Sequence, residues 1–453
     1  MNSQIFIDLL PLKKDGSNGG NAVFILSLIN FFQKNYYNEI NIICQKSNEE
    51  FILSKLDGKI KESNFYQTYN QILTEYGTIP KEPKKAIEIF LSLFLRILSL
   101  FLRISSFFER VMGFLDRKFQ SQKSSLLIKI LRKTITIINK IFLVISQKLI
   151  YLIMSFNKKD KKDSLILFSP FSHFDPLSQI FSRKVCIVYD MQHKDFPQFL
   201  TTDEKKIRDF HYSNSLNFFD TVITISDFSK ERIKKHYPKS SFDSQNDKIK
   251  VLHLPYLSIH SEVNISHSDK NFIKGLRLNK QFFYTPANYW EHKNHKSLFI
   301  AISMFVKMNK DVSFVFSGKF PNNAVKDEFQ KFIRFNNLQE QVFLLNYVSN
   351  DNVGVLYRNC IAVIVPSLYE GFGMTLQEAY FKNKMVLASN IRAHKEIADP
   401  KTTIFFDARN PTDIFNKITQ FFEIDTKNLK FNKKNNPDLV YQRYSDTILG
   451  NTN

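Results

Sequence analysis

The chain has 453 residues, 43% hydrophobic and 14% aromatic, with 46 Phe, which excludes a disordered scaffold and predicts more than one buried core. Its three cysteines, Cys44, Cys186 and Cys360, show no Cys-x-x-Cys or Cys/His spacing; this argues against a zinc site or a disulfide framework and points to a reducing compartment. Lys and Arg number 63 against 43 Asp and Glu, a net charge of +20, but 18 of the basic and 5 of the acidic residues fall within 81–162, so the excess belongs to one segment rather than to a nucleic-acid-binding surface.

Taken in chain order, MNSQIFIDLLPLKKDGSNGG has no basic leader followed by a long apolar stretch, so a secretory signal is not expected and a cytoplasmic location is. QIFIDLL reads as a strand, NAVFILSLINFFQKN as a helix and EINIICQ as a strand. Residues 84–157 then interrupt the pattern. Arg96, Arg103, Arg110 and Arg117 recur every seven residues, as do Ser92, Ser99 and Ser106, and Lys133 and Lys140 continue the habit. On a helix these form a narrow polar stripe on an otherwise apolar cylinder. No stretch reaches the roughly 18 uncharged apolar residues of a spanning helix. Two basic amphipathic helices are expected, either packed as a hairpin or lying on an anionic membrane through residues 85–157.

Beyond the insertion, SLILFSP, KVCIVYD, a helix over 203–218, TVITIS, a helix over 228–236 and KIKVLHLP resume the alternation. A polar stretch at 260–271 reads as a linker. Six further β-rich runs then alternate with helices, from QFFYTPA through CIAVIVPS to TTIFFD, and a last helix is expected over 437–449. This is the pattern of two parallel sheets, each covered by helices on both faces. Such sheets take ligands at the carboxyl ends of their strands, so two of them facing one another predict a cleft there.

The segment VPSLYEGFGMTLQEAY (365–380) lies at one of those ends. The run Ile361 to Val365 is a strand, Pro366 to Gly373 a loop, and Thr375 is expected to open the next helix. Backbone amides near Gly373, Met374 and Thr375, with the helix dipole, suit a diphosphate, and Gly371 and Gly373 allow close backbone approach. Glu370 and Glu378 then flank the anion, and each carboxylate can accept from vicinal sugar hydroxyls. The alternative for Glu378 is a capping box with Thr375. Glu370 could equally be an ordinary loop carboxylate.

YEGFGMTLQEA resembles the E-x7-E region of glycosyltransferase family 4, retaining nucleotide-sugar enzymes with the GT-B fold. Four other blocks are similar to the family in the same order: the stretch from VYDMQHKDF to KKHYP, PANYWEHKNH, FVFSG, and IRAHKEIADPKTTIFFDARNPTDI. The resemblance covers roughly 185–422 and the Gly19-Gly20 pair. It implies two facing Rossmann-like domains, an acceptor-side domain over 1–260 and a nucleotide-sugar domain over 272–430, followed by a closing tail over 431–453.

By the same resemblance Glu378 holds the donor ribose, Glu370 the transferred sugar, and Gly371, Phe372, Gly373, Met374, Thr375 and Leu376 form the diphosphate loop. Lys293 neutralises the leaving phosphate, His193 lies beside the donor sugar, and Gly19 and Gly20 admit acceptor and phosphate. Gly318 and Lys319 belong to the donor site. Asn288 stands where the family often has arginine, with His292 or Lys319 as compensating groups. Ser226, Arg232 and Glu396 read as structural. No metal and no cofactor are expected; the expected partners are a nucleotide-sugar, a lipid-linked or oligosaccharide acceptor and, through the basic segment 85–157, an anionic membrane surface at the inner face of the cell membrane, not nucleic acid. Two other readings stand beside hexosyl transfer: a GT-B relative with epimerase or phosphorylase chemistry, and a nonenzymatic basic membrane-binding protein. A glycoside hydrolase also uses two carboxylates but needs no phosphate cradle.

Overall fold

A computed structural model describes residues 4–13, 19–35, 40–57, 60–61, 64–69, 71–72, 165–238, 248–256, 267–278, 281–426, 429–431 and 436–451. The amphipathic segment 84–157 lies outside the described residues. The first domain holds a seven-stranded sheet of β1 (Gln4–Asp8), β2 (Ile40–Ile43), β3 (Phe65–Tyr66), β4 (Leu165–Ser169), β5 (Arg183–Ile187), β6 (Thr221–Thr224) and β7 (Ile249–Val251), in spatial order 3-2-1-4-5-6-7. The second holds six strands, β8 (Gln281–Pro286), β9 (Val312–Ser317), β10 (Val342–Leu345), β11 (Ala362–Val365), β12 (Met385–Ser389) and β13 (Thr403–Phe406), in order 10-9-8-11-12-13. Every pairing is parallel, for example Ile5 with Ile40 and Ala362 with Met385.

Strand order reverses between β1 and β4 in the first sheet and between β8 and β11 in the second. These are the two switch points at which doubly wound sheets open a crevice. The strands are apolar on both faces because each face is covered. Ile5 and Ile7 meet Phe24, Leu28 and Phe32 of helix Gly19–Asn35 on one side, and Phe6, Leu167 and Val222 join Tyr212 and Leu216 on the other. In the second domain Phe283, Phe314, Ile364 and Leu387 pack with Leu298, Phe299, Ile302, Ile414 and Ile418. Each fully buried side chain of this kind contributes about 1.5–3 kcal/mol of transfer free energy.

One boundary differs from the sequence reading. The stretch read as a linker through 271 ends earlier, because helix His267–Gly275 already belongs to the second domain. Helix Pro437–Leu449 starts from the Asn436 cap and stops at Gly450, whose φ is +84°, but it packs on the first domain. Tyr444 lies 4.9 Å from the Phe24 ring, and Arg183 donates to the carbonyls of Ile448 (2.9 Å) and Thr447 (2.7 Å). All three cysteines are buried free thiols, each pushed by burial up to about 12, so they serve as apolar filling. Among the described residues no helix is long and apolar enough to cross a membrane.

Candidate functional site

The loop Pro366–Gly373 follows β11 at the switch point of the second sheet. Gly373 sits at φ +118° as the cap of helix Met374–Phe381, with no side-chain cap bond. An L side chain is strained at that angle. Thr375 is therefore inside the helix rather than at its start, and the capping box with Glu378 does not form. The amide of Leu376 is taken by the Gly373 carbonyl at 3.0 Å, so the first-turn amides left for an anion are those of Met374 and Thr375.

Glu378 instead accepts from the hydroxyl of Tyr357, a buried residue of helix Asn350–Asn359, at 2.7 Å. Burial raises its pKa to about 7, against the opposing Tyr357 hydrogen bond and the Lys293 charge. Glu370 has the opposite environment. Its Oε1 accepts from Lys293 Nζ at 2.6 Å and from Ser367 Oγ at 2.7 Å. Burial alone would raise its pKa, but Lys293 and the His394 and His292 rings outweigh that and hold it down to about 2. Two carboxylates eight positions apart thus differ in proton affinity by several orders of magnitude, the kind of separation found where groups have distinct tasks.

Lys293 is presented by the turn Glu291–Lys293 after β8, on the other side of the same switch point. The next residue, Asn294, has φ +57°, and its Nδ2 donates to the carbonyls of Pro366 (3.1 Å) and Ala408 (2.7 Å). Asparagine tolerates the left-handed region, so one side chain ties together the loops after β8, β11 and β13. Sequence reasoning missed this clamp and the Tyr357 contact.

The remaining predicted residues divide by place. Asn288 accepts from the amide of Lys319 at 2.8 Å, bracing the loops after β8 and β9. A Cβ on Gly318 would lie 2.3 Å from the Ala287 carbonyl oxygen, so glycine is required by that close packing. His292 is lowered to about 4 by burial and by Lys293 beside it, which leaves it neutral and unsuited to replace a missing arginine charge. Gly371 serves domain contact: its Cβ would sit 2.8 Å from the Tyr189 carbonyl oxygen of the first domain. The Phe372 side chain is buried, its ring 5.3 Å from that of His253. Gly19 and Gly20 open the first helix, and the loop before them, 14–18, lies outside the described residues.

His193 is on the short helix Gln192–Asp195. Its ring is buried, packed edge-on against Tyr212 and 3.2 Å from Tyr237 Oη through Nε2, and burial lowers its pKa to about 4. Contacts within the first domain hold it. Ser226 and Glu396 fasten the domains together. Ser226 Oγ donates to the Gly371 carbonyl at 2.6 Å, while Glu396 accepts from the amides of Asp227 (2.7 Å) and Phe228 (3.0 Å) at the start of helix Asp227–His236. Arg232, read from sequence as structural, lines a cavity of about 550 Å³ between the domains, together with Glu370, Arg392 and Arg409, and is paired with Asp195.

Residues 267–436 match the family model of glycosyl transferases group 1. The chain is similar to a glycosyltransferase of Methanocaldococcus jannaschii, 26% identical over 199 residues that cover 42% of this chain and 54% of the relative. It is also similar to the poly(ribitol-phosphate) alpha-N-acetylglucosaminyltransferase of Staphylococcus aureus, 27% identical over 152 residues that cover 32% and 29%. The chain thus spans about half of the first relative and under a third of the second. Among solved structures it resembles HepE of Anabaena in complex with UDP, with a TM-score of 0.59 at 12% identity over 99% of this chain and 100% of that one. The chain has the GT-B fold, and its second domain matches the group 1 glycosyl transferases.

Proposed function

We propose that the protein is a retaining glycosyltransferase that moves a hexose from a nucleotide-sugar to a lipid-linked saccharide in cell-surface glycan biosynthesis. The observation that carries this reading is the convergence, at one switch point, of the Lys293–Glu370 pair, the open amides of Met374 and Thr375, and Glu378 one turn into the helix. The amides and Lys293 suit a diphosphate, Glu378 a ribose diol, and Glu370 the hydroxyls of the transferred sugar.

In the reaction the bond from the anomeric carbon to the phosphate oxygen breaks and a bond to the acceptor oxygen forms on the same face. The acceptor proton passes to the departing phosphate oxygen. Charge grows on that phosphate as the sugar becomes oxocarbenium-like, and Lys293 with the helix N-terminus stabilises it there. The relatives named above are glycosyltransferases, one of them an N-acetylglucosaminyltransferase, and this agrees with a sugar donor.

NMR of the product formed from UDP- and GDP-hexoses with octyl glycosides tests the reaction. The expected product keeps the donor's anomeric configuration. An inverted product, or turnover of sugar nucleotide that transfers nothing to the glycoside, contradicts it. We assign residues 85–157 to an anionic membrane surface on their basic amphipathic pattern. The full chain is expected to float with anionic liposomes while a deletion of 85–157 stays behind, and equal flotation would contradict the assignment.

A further inference from the structure

The second sheet places its charged pair at the β8/β11 switch point. The first sheet has a counterpart at the β1/β4 switch point that the reading above leaves unused. Asp8, the last residue of β1, is fully buried. Its Oδ1 accepts from the Leu10 amide at 3.0 Å, and its Oδ2 accepts from the Tyr69 hydroxyl at 2.8 Å and faces His173 Nδ1 at 2.6 Å. The carboxyl is the acceptor in both of these bonds, and Nδ1 is the donor in the third. That fixes the ring orientation and leaves Nε2 as the nitrogen able to meet a ligand. No described residue hydrogen-bonds Nε2, and the side chain is 20% exposed.

The backbone before the ring is held in an unusual state. Ser172 has φ +54° although it is not glycine, and it is buried, with its Oγ bonded to the Ile187 carbonyl and its own carbonyl accepting from Ser215 Oγ at 3.1 Å. Such strain persists only where the surroundings over-determine it, and it gathers at functional positions. A second imidazole, His211, lies 5.0 Å from His173, ring centre to ring centre.

We propose that His173, oriented by Asp8, is the acceptor-binding residue of the first domain and takes a hydroxyl group of the acceptor saccharide. The proposal rests on the glycosyltransferase reading for the word acceptor, and on the switch-point geometry for the site. The groups facing His173 are Asp8, Asp175, Tyr69 and His211. Burial would lower its pKa, but the Asp8 hydrogen bond and charge outweigh this and raise it, whereas burial holds His211 down to about 4. The site therefore offers an imidazole that protonates readily beside carboxyl groups. Among the described residues the charged side chains acting on this ring are the carboxyls Asp8 and Asp175 rather than a Lys or Arg, which favours a neutral hydroxyl, able both to accept and to donate, over a phosphate.

The test is NMR of full-length protein labelled at histidine, titrated with octyl glycosides of glucose, galactose, mannose and N-acetylglucosamine, with and without UDP or GDP. The expected result is a saturable shift of the His173 ring signal, identified by its loss in His173→Gln. Glycoside affinity should weaken tenfold or more in His173→Gln and in Asp8→Asn, while calorimetric nucleotide affinity stays within twofold. No shift with any glycoside, or equal glycoside affinity in the variants, overturns the proposal, as does glycoside affinity that falls only in step with nucleotide affinity and melting temperature. If His173→Gln does not fold, the ring signal is identified by its displacement in Asp8→Asn, and the wild-type titration decides. Because the titration is also run without nucleotide, it stands even if no nucleotide binds, an outcome that would instead contradict the donor reading.

Discussion

Replacing Glu378 by Gln is expected to stabilise the empty protein and impair its use of nucleotide. The Glu378 pKa is raised from 4.5 to about 7. A carboxyl raised on folding costs stability when it ionises, a cost that starts above pH 4.5 and is complete above pH 7. Glu378→Gln should therefore unfold later than wild type by about 1–3 kcal/mol at pH 8 and show no gain at pH 4. Ribose binding calls for the opposite charge state, since the ionised carboxylate accepts from two hydroxyls. Wild-type nucleotide affinity should rise as pH climbs from 5 to 7 and level off above, while the variant's stays weak and flat. Chemical denaturation and calorimetry at pH 4, 6 and 8 check both halves. A variant that is less stable at pH 8 would mean that Glu378 is ionised and well satisfied in the empty cleft.

The second large effect is expected at Lys293. Its ammonium holds the Glu370 pKa down to about 2 from an ordinary 4.5. Stability from a depressed carboxyl is present above pH 4.5 and is lost as pH falls toward 2. Lys293→Met leaves that carboxylate without its cation. Because the two side chains are 17% and 16% exposed, the loss at pH 7 should be about 2–3 kcal/mol, somewhat below that for a fully buried pair. The difference from wild type should shrink as pH drops below 4.5. Adding Glu370→Gln to Lys293→Met should recover part of the stability, because no unpaired charge remains. Sugar transfer should fall by about 10²–10³-fold in Lys293→Met and not return in the double variant, since in the proposed reaction the cation acts on the leaving phosphate. Recovery of transfer together with stability would reduce the pair to a structural role.

Much of the fold was legible because it rests on local pattern. Short Ile/Val/Phe runs alternating with amphipathic stretches mark strands and helices that are buried on known faces, and Pro437 with Gly450 brackets the last helix. The site was legible only where its parts adjoin in sequence, as in the loop 366–373. Contacts between distant positions were not: Tyr357 with Glu378, Asn294 with Pro366 and Ala408, Ser226 with Gly371, Asp8 with His173. The capping box was a local signal that lost to another one, because Gly373 in the left-handed region sets the helix start one residue before Thr375. Gly371 looked like part of a phosphate loop, yet its missing Cβ is required by the approach of Tyr189, which no single-domain pattern reveals. The role of Arg232 likewise depends on the other domain closing over it.

The measurement that bears most directly on the central claim is calorimetric titration of UDP, GDP, ADP, CDP and dTDP into the wild-type protein and into Glu378→Ala. One nucleotide should bind clearly more tightly than the rest, and the variant, still folded, should lose about 2–3 kcal/mol, roughly 30–150-fold, as charged hydrogen bonds to the ribose disappear. Binding of none of the five, or equal binding by wild type and variant, would contradict a nucleotide-sugar site at the Glu370–Glu378 loop.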